Sequence, residues 1–127
     1  MSVNVKIDTK EKFSVIRPES SKISAIMAEE LENIFHDILK NTNQHVILNL
    51  ENVAIIENVA ASSIAKMQQL YYENKRSFVI CCANEYLIDS FRGWDLINIL
   101  NLTPTESEAW DMIHMEEIER ELLDDEN

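Results

Sequence analysis

The sequence predicts an α/β fold: a single domain on a mixed sheet of four to five strands, with about four helices. Three observations lead there. Short segments near residues 3–7, 13–16, 45–50 and 77–83 alternate in polarity or run continuously apolar, as strands do. Longer segments between and after them carry apolar residues at helical spacing. The two kinds then alternate along the chain, the order that builds a sheet with crossover helices.

Val3 to Ile7 alternates, and Phe13 to Ile16 does so approximately, with polar Asp8 to Lys12 between them. The pair predicts a β-hairpin ended by Pro18. A helix is predicted over Ile23 to Lys40, because Met27, Leu31, Ile34, Phe35 and Ile38 share one face. Glu29, Glu30, Glu32 and Asp37 are assigned to the solvated face, and Asn41 to Asn43 stops the helix. His45 to Leu50 is nearly all apolar, the mark of a strand covered on both faces. Val53 to Ile56 continues apolar and leads out from the core. Asn58 is expected to cap a second helix running to about Asn74, with Ile64, Met67 and Tyr71 inward. Ser77 to Ala83 is the second buried strand, and Asn84 caps a helix with Leu87, Ile88 and Phe91 on its apolar face. A last strand precedes Pro104. Thr105 with Glu108 three residues on reads as a capping box, opening a final helix toward Leu122. Asp124 to Asn127 is expected to fray.

Composition removes whole classes of function. The chain has 127 residues, 46% hydrophobic and 27% charged, enough for one buried core and too apolar for a disordered segment. Gly93 is its single glycine, so neither a P-loop nor a dinucleotide fingerprint can be built, nor the Gly-x-Ser-x-Gly elbow of a serine hydrolase. No apolar run is long enough for a membrane span or a signal peptide, and a cytoplasmic protein is expected. The net charge of −12 argues against nucleic acid and anionic membranes as partners. That charge is concentrated: residues 106–127 hold 10 of the 23 acids and only Arg120 as a base.

The remaining chemistry-bearing residues read as structural. His36, His45 and His114 lack metal-ligand spacing, and no cofactor or metal is expected. Cys81 and Cys82 are taken as buried reduced thiols on opposite faces of their strand. The glutamates of the first helix suggest no cleft that would split their pKa values. Trp94 and Trp110 are core or edge aromatics, either of which could anchor a partner. Ile113, Ile118 and Leu122 leave an apolar stripe on the acidic last helix, to dock on the body or on a partner.

Taken in order, several segments resemble STAS domains, specifically the stand-alone anti-sigma factor antagonists. These are Ile23 to Leu31, Val46 to Leu50 with Val53 to Ile56, and Thr105 to Trp110, and the likeness covers roughly residues 3 to 115. It implies a STAS-like domain over 1–115, followed by an acidic helical extension or tail over 116–127. In that family the strand before the second helix runs into an acidic residue, two hydroxyl residues and a glycine. The second hydroxyl is phosphorylated by a partner kinase that is also the anti-sigma factor. Here Glu57 takes the acidic position, Asn58 the first hydroxyl, Val59 the phosphoacceptor and Ala60 the glycine.

Phosphate on such a hydroxyl is tolerated by the helix N-terminus, yet its charge breaks an interface packed around a neutral group. Valine cannot accept it. The resemblance therefore implies a non-enzymatic binding module that engages a kinase-like anti-sigma factor without the usual switch. Its expected surface is Glu57, Asn58, Val59, Ser62 and Ser63, with Ser62 and Ser63 the alternative phosphoacceptors one turn further on. The other role compatible with this fold is a structural subunit of a transporter ATPase complex or a signalling scaffold.

Overall fold

A computed structural model describes residues 4–125. Five strands form one sheet in the order β1-β2-β4-β6-β7. β1 (Val5–Thr9) pairs antiparallel with β2 (Phe13–Pro18), while β4 (His45–Asn49), β6 (Phe78–Cys81) and β7 (Leu102–Thr103) continue it in parallel. The expected hairpin is thus present, though Val3 lies outside the described residues.

The period-2 rule distributes the core between two faces. Ile16, Val46, Leu48, Phe78 and Ile80 point to the face covered by α1 (Ala25–Asn41), α2 (Asn58–Glu73) and α3 (Glu85–Gly93). Phe13, Val15, Ile47, Val79 and Cys81 point to the other, which α4 (Glu106–Asp125) covers with Ala109 and Ile113. β4 and β6 are buried on both faces, which is why they read as continuous apolar runs.

Local chemistry sets most of the helix boundaries. Asn84 caps α3 by accepting from Leu87 N at 2.8 Å, and Thr105 Oγ1 accepts from Glu108 N at 3.1 Å to open α4. Arg17 ties the first turn of α4 to the sheet. Its guanidinium reaches Glu106 at 3.2 Å and Glu51 at 2.6 Å, and Asn49 Nδ2 donates to Glu106 at 3.0 Å.

The structure corrects the sequence reading at five points. Ile23 is not helical; with Lys22 it forms β3, which pairs in parallel with β5 (Ile55–Ile56). Ser24 is then the cap of α1, its hydroxyl accepting from Met27 N at 3.3 Å. Glu57, not Asn58, occupies the cap position of α2. Glu32 does not face solvent but turns toward α2, where its carboxylate accepts from the Ser63 hydroxyl. Cys82 leaves the strand with φ 65°, which brings its sulfur to 3.4 Å from that of Cys81 instead of the opposite face. α4 runs on without fraying through Asp124 to Asp125; Glu126 and Asn127 lie outside the described residues.

Candidate functional site

Two helix N-termini meet at one end of the molecule because β3 and β5 pair directly before them. The junction rests on Glu57. Its side chain does not cap its own helix; instead Oε1 accepts from Ala25 N at 2.8 Å, on the first residue of α1. The carboxylate thus satisfies an orphan donor of the neighbouring helix and sets its charge against the positive end of that dipole. The cap residue of α2 makes no side-chain hydrogen bond to the first turn of that helix.

Beyond Glu57 an open groove of about 350 Å³ runs between α1 and α2. Asn58, Val59, Ser62 and Ser63 line it from α2, and Glu29 and Glu32 from α1. Four of the five residues expected from the sequence therefore share one groove, while Glu57 stands at its end and pins the two helices together. Val59 is 67% exposed, the largest departure from what an apolar side chain on a folded surface favours in this region. Ser62 and Ser63 are half-buried. A phosphate on Ser63 would face the carboxylate that its hydroxyl now contacts, a repulsive placement.

Sequence reasoning missed Ile26 and Ile55, which are 65% and 45% exposed beside the same junction. Together with Val59 they give it an apolar rim. One exposed apolar residue at a helix start, as Ile26 is, leaves no periodic signal. Ile55 lies in a continuous apolar run, and only the pairing of β5 with β3 decides which of Ile55 and Ile56 turns inward.

The ionisable groups most displaced by their surroundings lie elsewhere. Burial pushes the His45 imidazole below its ordinary value, against the opposing pull of Glu117. Burial raises Tyr71, whose hydroxyl donates to Phe35 O at 2.6 Å, and raises the Cys81 thiol. All three sit in the sheet or the helix packing against it. Among the described residues, no cluster of His, Cys, Asp or Glu could hold a metal ion, and no helix is long and apolar enough to cross a membrane. The groove offers hydroxyl, amide and carboxylate groups beside exposed apolar side chains, which is the chemistry of protein recognition.

The STAS domain family model covers residues 4–109, and the chain belongs to that family. A STAS domain protein from Planctomyces limnophilus, an anti-sigma-factor antagonist, superposes with a TM-score of 0.75 at 14% identity. That match covers 90% of this chain and 99% of that one. An anti-sigma factor antagonist from Mycobacterium paratuberculosis gives 0.74 at 16% identity, over 88% and 94%. The murine solute carrier 26 family member A9 anion transporter gives 0.69 at 10% identity, over 85% of this chain and 18% of the transporter. No curated protein sequence matches.

Proposed function

We propose that the chain is a regulatory protein-binding module, an anti-sigma factor antagonist that engages a kinase-like anti-sigma factor through the α1–α2 junction. The observation that carries this reading is Val59: an exposed apolar side chain in the first turn of α2, where the family places its phosphoacceptor. Ile26 and Ile55 extend the apolar surface. A valine there keeps that one position uncharged, so the module stays in the binding-competent form and frees the sigma factor by competition. Incubation with the cognate anti-sigma kinase and labelled ATP tests this. The wild type takes up no phosphate, and Val59→Ser becomes a substrate. Labelling of the wild type at Ser62 or Ser63 overturns the unswitched reading.

A second reading follows from the similarity to part of an anion transporter: a structural subunit of a transporter assembly, for which a missing switch is no loss. Affinity purification from the source cells separates the two. An ATP-binding anti-sigma kinase among the captured proteins supports the first, and a permease or transporter ATPase the second.

A further inference from the structure

The family match ends at residue 109, yet α4 continues to Asp125. Its inner side is committed to the body. Ile113 is buried in the sheet face, and Arg120 donates to Ser77 Oγ at 2.8 Å, so the helix cannot roll without losing both. The outer side is not covered. Met115, Ile118 and Leu122 are 62%, 44% and 60% exposed, at spacings of three and four that align them in one seam. The seam begins near Trp110, 44% exposed and stacked on His114 with ring centroids 5.4 Å apart. Beside it an open, mostly apolar pocket of about 320 Å³ lies between Trp110, Ile113 and Phe13. From Trp110 to Leu122 the surface extends roughly 18 Å, about three helical turns.

The charge around the seam narrows the occupant. Asp111, Glu119 and Glu121 are exposed on this helix with no ion-pair partner among the described residues. Lys10 and Lys12, the nearest bases at the pocket, are already paired with Asp8 and Glu117. A second copy of this chain would bring the same acids against their equivalents, and an anionic lipid surface would be repelled. We infer that the outer face of α4 is a docking surface for a basic amphipathic helix of a protein partner. Its apolar residues would lie along Met115, Ile118 and Leu122, one of them entering the pocket at Trp110, while Lys or Arg on its flanks meets the free acids. This surface is on the opposite side of the sheet from the α1–α2 junction and does not depend on it.

The test uses the full chain and two synthetic peptides of about 14 residues, two heptads long. One carries Leu at a and d with Lys elsewhere; the other has the same composition with the leucines scattered. Trp110 fluorescence reports occupancy of the pocket. The heptad peptide binds at least about tenfold more tightly than the scattered one, a difference of roughly 1.4 kcal/mol. Ile118→Gln with Leu122→Gln abolishes that preference, and Glu119→Gln with Glu121→Gln weakens binding and flattens its salt dependence. Val59→Ser leaves it unchanged. Equal binding of both peptides, or an unchanged preference in the Ile118/Leu122 variant, overturns the proposal. So does sedimentation of the wild type as a dimer that this variant dissolves, for then the occupant is a second copy.

Discussion

Glu57 and His45 show how single side chains join elements that are distant in sequence. Glu57 bonds across 32 residues to the start of α1, so its loss should loosen the junction without disturbing the core. Glu57→Ala is expected to cost about 1 kcal/mol, and Glu57→Gln less because an acceptor oxygen remains. Urea denaturation of both variants, monitored by circular dichroism, checks the order. His45 accepts from Ser77 N at 2.9 Å through Nδ1, which places its proton on Nε2, 3.7 Å from Glu117. Burial is the largest influence on it and favours the neutral ring; Glu117 opposes this, while Arg120 and Arg76 add to it. A folded-state pKa below the unfolded one means that protons bind the unfolded chain more strongly. The stability from neutral His45 is therefore present above about pH 6.5 and lost as pH falls below it. Thermal melts at steps from about pH 7.5 to 5 should show this loss, and His45→Asn, which keeps an acceptor for Ser77 N, should reduce the slope.

At the scale of elements, α4 is read differently along its two sides. Ile113 and Ile118 are the same residue type five positions apart, one buried at 2% and the other 44% exposed. Ile113→Ala should cost about 2–4 kcal/mol through lost burial and the cavity it leaves. Ile118→Ala should change stability by under about 0.5 kcal/mol. Chemical denaturation separates these outcomes, and near-equal costs would mean that α4 sits on the sheet in another rotation. The stripe of Ile113, Ile118 and Leu122 seen in the sequence is thus divided: its first member docks on the body and the other two face outward. Periodicity alone could not divide it. Apolar residues occur on both sides of this helix, and which side meets the sheet depends on anchors such as Arg120 with Ser77.

For the whole molecule, charge and topology set two independent surfaces. The sheet separates the α1–α2 junction from the acidic outer face of α4, so variants on one should leave binding at the other intact. The strong negative charge resides mainly in α4, and steering of a basic partner would act there before any apolar contact forms. In the proposed role, the near-neutral body would leave the junction to be recognised by shape and by its apolar rim.

The order and kind of the principal elements were determined by the sequence, because the signals are local. Apolar runs marked β4 and β6, and Asn84 and Thr105 marked helix starts. Each of these depends on relations within about four residues, the reach of helical bonding and strand alternation. What only the tertiary structure decided depends on partners some thirty residues away. The pairing of β3 with β5 removed Ile23 from the helix and turned Ile55 outward, Glu32 met Ser63 across 31 positions, and Glu57 was drawn to Ala25. A side chain's long-range partner leaves no periodic trace, because packing, not chain proximity, brings the two together.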